Sequence, residues 1–265
     1  MKKIVRKAAC LALAGAMVLS LAACGSSSDA SGDVDAIKKK GTFVVGITEF
    51  APMDYKDGSD WIGFDADLAK KVAGDLGVEV QFEVIDWDNK LLELNNKNID
   101  VVWNGMTLTD EVKTSMGCTE PYLNNAQTIV MPADKLSEYP DASSMKDLKF
   151  AVEAGSAGKD AAEANGLQYT EVGAQSDAVM EVAAGTSDAC VIDLLMAGAM
   201  VGEGTSYKDL GHAVDLAPEQ YVIGCRKGSD LTDYINDELK KYYSDGTMQE
   251  IAETYGVQDA LIPQK

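Results

Sequence analysis

From residue 42 onward the chain alternates short apolar runs with longer amphipathic ones. Thr42–Ile47 (TFVVGI) reads as a buried strand. Across 64–77, Phe64, Leu68, Val72 and Leu76 recur every fourth position, which predicts a helix stopped at Gly77. Residues 78–85 and 99–103 read as strands, with a helix over 88–97 between them. Thr109 followed by Asp110 and Glu111 predicts an N-cap with acids in the first turn. Further strands are predicted at 127–131, 149–152, 189–192 and 221–225, a helix from about Ser156, and closing helices at 231–244 and 247–255. This order predicts α/β lobes with largely parallel sheets. Ligands in such sheets sit at the carboxyl ends of strands, in the loops. That selects residues 47–53, 86–87, 104–109, 155–158 and Asp193 for inspection.

The first 23 residues have a different pattern. A basic MKKIVRK segment precedes an apolar run that ends in small residues, the form of an export signal. The run is short for a membrane-spanning helix, which needs about 20 apolar residues. Leu21-Ala22-Ala23-Cys24 resembles the bacterial lipobox, in which the cysteine is lipidated and becomes the mature N-terminus. The Gly/Ser-rich stretch that follows reads as a flexible tether over 24–34. Two acyl chains on Cys24 would anchor a soluble body to a membrane stably. Of the remaining cysteines, Cys190 and Cys225 lie in apolar strand-like runs and are expected as buried thiols. A single histidine, His212, and no Cys/His spacing argue against a metal site.

Composition changes the picture in one respect. With 265 residues, 46% hydrophobic and 25% charged, the chain suits two ordinary domains with real cores. Its 43 acidic residues against 23 basic ones give a formal charge of −20. All four basic residues of the leader are lost on cleavage, leaving 19 against 43, or −24. A body this acidic repels phosphate backbones, so nucleic acid is not an expected partner.

At the strand ends the sequence resembles the amino-acid-binding receptors of ABC importers, the bacterial solute-binding proteins of family 3. The resemblance covers nearly the whole mature chain. It is carried by VVGITEFAPMDY, WIGFDADLAKKVAGDLG, VIDWDN, KNIDVVWNGMTLTDE and TEPY, then by DLKFAVEAGSAGKDAA, TSDACVIDL, YVIGCRKGSD and DGTMQEIAETYG, in that order. It implies a type II periplasmic-binding-protein fold: two Rossmann-like α/β lobes joined by a two-segment hinge. Lobe 1 would comprise 35–121 and 222–265, lobe 2 127–216, and the crossovers 122–126 and 217–221. It further implies ligand capture in the cleft, closure of the lobes, and delivery to ABC permease subunits by a monomeric, extracytoplasmic protein held to the membrane through Cys24. No cofactor is expected.

Matched position by position, the resemblance assigns a pocket. Phe50 and Trp87 would stack on the ligand, and Trp103 is open to either wall or core. Asn104, Gly105 and Thr107 form the loop that would meet its amino and carboxylate groups. Gly155 and Ser156 open a helix whose free N–H groups suit a carboxylate. Asp193 would bind an α-ammonium, a charge-assisted contact. Glu153 stands where some relatives carry a basic residue. The arginine that usually clamps the ligand carboxylate is absent: TLTDE is followed by Val112 and then Lys113. Two ligand classes therefore stay open. One is an amino acid held by the Ser156 helix end and Lys113; the other is an amine or derivative without a free α-carboxylate. Three other classes of function are weighed against the receptor reading. A dehydratase-like enzyme shares the fold but would need a catalytic set the sequence does not offer. A sensor input domain would continue into a membrane helix. A surface adhesin would need no tight small-molecule affinity.

Overall fold

The computed structural model describes residues 32–265; the export signal and all but the end of the tether lie outside the described residues. The first helix, α1 (Asp33–Lys40), begins inside the range read as tether. Its first turn is acidic and its last three residues are lysines, a charge order that complements the helix dipole.

Lobe 1 is built on β1 (Thr42–Ile47), flanked by β4 (Glu79–Val84) and β5 (Val101–Thr107), all parallel. A small hairpin, β2 (Tyr55–Asp57) and β3 (Asp60–Ile62), precedes α2 (Phe64–Leu76). α2 buries Phe64, Leu68, Val72 and Leu76, the stripe its spacing predicts. The segment read as one helix over 88–97 is a 3₁₀ turn, Trp87–Asn89, followed by the short α3 (Lys90–Asn95). α4 (Asp110–Ser115) starts on Thr109, whose hydroxyl accepts the Val112 N–H at 3.2 Å. The two-residue β6 (Gly117–Cys118) pairs with the last strand.

Lobe 2 follows β7 (Leu123–Pro132) and contains β8 (Lys149–Glu153), α5 (Ala157–Ala164), β9 (Gln168–Val172), α6 (Gln175–Ala184), β10 (Ala189–Asp193) and α7 (Leu194–Met200). The chain returns through β11 (Leu210–Cys225) and finishes lobe 1 with α8 (Leu231–Ser244) and α9 (Thr247–Tyr255). The principal sheet runs β4-β1-β5-β11-β7-β10-β8-β9.

β11 is three times longer than the five-residue strand predicted. Residues 210–220 are polar and contain Pro218, and they read as connection. They become strand because β7 lies antiparallel beside them from Leu210↔Pro132 to Tyr221↔Leu123, with register shifts at 212/214 and 215/217. Beyond Tyr221 the strand leaves β7 for β5, pairing Tyr221↔Thr107 through Cys225↔Val101. β7 and β11 are thus the two segments that join the lobes. One apolar cluster runs through both lobes by way of Tyr122, Leu123 and Tyr221, and each lobe has a second cluster on the other face of its sheet. Trp103 belongs to the shared core and is fully buried. Cys118, Cys190 and Cys225 are free thiols, the last two buried.

Candidate functional site

On the lobe 1 side, the ends of β1 and β5 are tied together by Asn104. Its Nδ2 donates to the Thr48 carbonyl at 2.9 Å and to Asp54 Oδ2 at 2.8 Å. Its Oδ1 accepts the Thr48 N–H at 3.0 Å and the Thr48 hydroxyl at 2.8 Å. The amide is fully engaged within the protein, so this residue positions the strand ends and turns its backbone to the cleft. Gly105 has φ +54°, and its N–H donates to Asp65 Oδ2 at 2.7 Å. A Cβ there would stand 2.6 Å from Phe50 Cε1, so only glycine fits. Phe50 itself is 2% exposed, set edge-on to the Tyr221 ring at 6.3 Å, and does not line the cavity. It packs behind the site because Gly105 lets its ring approach the backbone. Asp54 and Asp65 lie beneath this floor. Burial, then the charge of Asp65, holds Asp54 well above the usual carboxylate range. Burial lifts Asp65 to about 6 against the bonds it accepts from Gly105 and Tyr122.

On the lobe 2 side, Ser156 caps α5. Its hydroxyl accepts the Lys159 N–H at 3.1 Å and donates to the Glu153 carbonyl at 2.8 Å. The first-turn amides of Ala157 and Gly158 have no acceptor within the helix. Glu153, buried at the end of β8, has its Oε1 without a hydrogen-bond partner among the described residues. Burial pushes its carboxyl up to about 8, against the positive charge of Lys90.

Asp193, at the end of β10, is the hub of a network. Its Oδ1 accepts from Asn125 Nδ2 at 2.6 Å, Gln127 Nε2 at 2.9 Å and the Tyr221 hydroxyl at 2.8 Å. Its Oδ2 accepts only from Gln175 Nε2, so that oxygen keeps capacity for one more donor. Asn125 and Gln127 also donate to Glu219 Oε1, at 2.5 and 2.9 Å, so two amides bridge two carboxylates. Burial, then the nearby Glu219, holds Asp193 well above the usual carboxylate range.

These groups meet in one cavity. Trp87, Asn104, Gly105 and Thr107 line it from lobe 1; Glu153, Ser156 and Asp193 line it from lobe 2. The structure thus brings together seven of the eight expected residues and leaves Phe50 behind the wall. The lining also includes Lys90, Glu111, Asp160 and Gln175, which were not anticipated there. Lys90 is 9% exposed, and its Nζ donates to the Trp87 carbonyl at 3.2 Å and to the Gly155 carbonyl, across the cleft, at 2.9 Å. It also lies 5.0 Å from the centroid of the Trp87 ring. Burial pulls its ammonium below the ordinary lysine value despite the carboxyls of Glu111, Glu153, Asp88 and Asp160 around it. The available signal was its spacing: three residues after Trp87, one turn on, it faces the same way as the strand-end aromatic. Lys113 is elsewhere. Its side chain is 52% exposed, pairs with Asp110 at 3.6 Å, and borders a separate depression beside Glu219. His212 lies on β11 opposite Val130 and does not line the cavity. Among the described residues no group of three His, Cys, Asp or Glu is placed to hold a metal.

The cavity measures only about 30 Å³, room for about one water, where small-molecule sites occupy about 300–1,000 Å³. The lobes are shut on one another. A larger hollow of about 420 Å³ is lined by Tyr55 and Tyr255 of lobe 1 and Met196 and Met200 of lobe 2. It lacks the converging buried polar groups of the smaller one.

Bilobal architecture and a polar cleft between lobes define a class of solute-binding proteins. Residues 43–258 match the bacterial extracellular solute-binding proteins, family 3, and the chain belongs to that family. It is 31% identical over 253 residues to the arginine-binding extracellular protein ArtP of Bacillus subtilis, covering 91% of this chain and 94% of that one. Among solved structures, an ABC uptake transporter substrate-binding protein from Streptococcus pneumoniae with bound histidine superposes with a TM-score of 0.79 at 27% identity. That match covers 87% of this chain and 98% of the other. A reconstructed ancestral amino-acid-binding protein, described as a precursor of cyclohexadienyl dehydratase, superposes with a TM-score of 0.76 at 31% identity, covering 84% and 98%.

Proposed function

We propose that the protein is the extracytoplasmic receptor of an ABC importer and binds an amino acid in the cleft between its lobes. The observation that carries this reading is the convergence at one cavity of strand-end residues from both lobes, Trp87 and Thr107 facing Glu153, Ser156 and Asp193. Trp87 supplies an apolar face. The free Oδ2 position of Asp193 takes the ligand's ammonium, and the first-turn amides of α5 take a negative group. Crossovers at 122–126 and 217–221 are the hinge, the lobes open to admit the ligand, and the closed form delivers it to permease subunits. Cys24 carries the lipid that keeps the receptor, a monomer, at the membrane. The ArtP relative and the histidine-bound neighbour support an amino acid as the ligand class.

Thermal-shift screening of the purified protein against the protein amino acids, L-cystine and simple amines tests the reading. At least one amino acid is expected to raise Tm, and Asp193→Asn, which keeps the shape but cannot ionise to meet an ammonium, is expected to abolish that rise. An unchanged response in the variant removes Asp193 from the site.

A further inference from the structure

We infer that Lys90 is the group that holds the ligand's carboxylate, so the cleft selects amino acids over amines that lack one; this rests on the reading that the cleft is the amino-acid site.

Three observations converge on it. Lys90 is a buried ammonium that has no carboxylate within ion-pair distance among the described residues. The carboxyls of Glu111, Glu153, Asp88 and Asp160 surround it without a direct ion pair, so its ammonium can still take a carboxylate at contact distance. Its two acceptors are backbone carbonyls, Trp87 and Gly155, and the second belongs to the opposite lobe. Opening the cleft separates Lys90 from Gly155 and frees that hydrogen-bond position inside the binding space. Lastly, the place where an arginine would reach in from α4 holds the buried apolar Val112, and Lys113 points into solvent. Among the residues that line the cavity, Lys90 is the sole lysine or arginine.

The surroundings fit a carboxylate as the missing partner. Gly155, whose carbonyl Lys90 now touches, directly precedes Ser156 and the free amides of Ala157 and Gly158. An anion placed there meets an ammonium from one lobe and backbone N–H donors from the other. Glu153, whose buried Oε1 has no hydrogen-bond partner among the described residues, lines the same cavity, and burial pushes its carboxyl up to about 8. The ligand's carboxylate therefore takes over the bond that Lys90 makes to the Gly155 carbonyl. Asp193 remains for the ammonium.

The test is calorimetric titration of the protein with L-arginine, L-histidine, L-cystine and the other protein amino acids, each beside its α-carboxamide. The unmodified protein is expected to bind the acid about tenfold or more tightly than the amide. Lys90→Met is expected to weaken the acid about 10- to 100-fold, the scale of one charge-assisted hydrogen bond, and to erase the preference for acid over amide. Lys90→Arg is expected to keep the preference. Because Lys90→Met takes a donor from the Trp87 and Gly155 carbonyls, its Tm without added ligand is expected to fall somewhat, and the titrations are run at a temperature where it is folded. Lys90→Gln reads the same ratio should the methionine variant not fold. An acid affinity in Lys90→Met within about threefold of the original, or amides bound as well as acids by the unmodified protein, overturns the inference and leaves the receptor reading standing. No response to any compound removes both.

Discussion

Glu153 shows how a single residue carries a pH dependence. In the unfolded chain its carboxyl titrates near the ordinary value of 4.5, whereas burial in the folded protein lifts it to about 8. Between those values the folded state holds a proton that the unfolded state has lost. Stability from this group therefore falls as pH rises from about 4.5 to 8 and levels above that. Glu153→Gln should remove up to about 1.4 kcal/mol per pH unit of that slope, read from urea unfolding at pH 5, 6, 7 and 8. Glu153 came only from the family resemblance, whereas Trp87 and Asp193 were legible at this scale because they stand where strands end, as a rule about α/β sheets selects. Lys90 was not, because a lysine in the run KLLELN looks like the solvated face of a helix. Only the turn that brings it back over Trp87 puts it in the cleft. Asn104 and Ser156 were expected to act through the backbone around them; their side chains are engaged with Thr48, Asp54, Lys159 and Glu153, tertiary contacts that patterning along a chain cannot reveal.

Among the elements, the locally determined helices α2, α8 and α9 were predicted to within a residue or two because their apolar stripes and end residues agree. β11 was not, since its first eleven residues owe their strand conformation to β7 rather than to their own preference. A different kind of tie holds α1 in place. Arg226, just past β11, donates Nε to Asp33 at 3.0 Å and Nη1 to the carbonyls of Leu94 at 3.2 Å and Ile99 at 2.8 Å. One side chain thus fastens α1, the end of α3 and the approach to β5. Burial raises the Asp33 carboxyl, but the bonds from Arg226 and Ser229 outweigh it and leave its pKa below the ordinary value. Arg226→Ala removes a donor from the Leu94 and Ile99 carbonyls and a cation from Asp33, which keeps the Ser229 hydroxyl, and should cost about 2–3 kcal/mol in chemical denaturation. Ligand affinity should be unchanged, because none of these groups borders the cleft.

For the whole molecule, closure depends on how near the lobes come at Gly155. Its φ is +67°, and a Cβ there would lie 2.6 Å from Asp88 Oδ1 and 2.8 Å from Asp88 Cα in the opposite lobe. Gly155→Ala should act as a wedge. Small-angle scattering should show that variant more extended than the parent, and its amino-acid affinity should fall about tenfold or more. Equal radii for the two proteins would show that the lobes accommodate the methyl group without parting. The formal charge of −20 is a property of this same scale, governing solubility and partners and leaving the fold to the patterning within each lobe.

β7 and β11 would give the proposed opening and closing its mechanical character. The lobes are joined by a paired ribbon in which Leu123, Asn124, Asn125 and Ala126 face Tyr221, Gln220, Glu219 and Pro218. A two-stranded ladder bends and twists without surrendering its backbone hydrogen bonds, so it behaves as a torsion bar with a preferred resting angle. In the proposed binding cycle the angular stiffness of this bar, set partly by the amides of Asn125 and Gln127 that clasp Asp193 to Glu219, would set how much of the ligand's binding energy goes into twisting it.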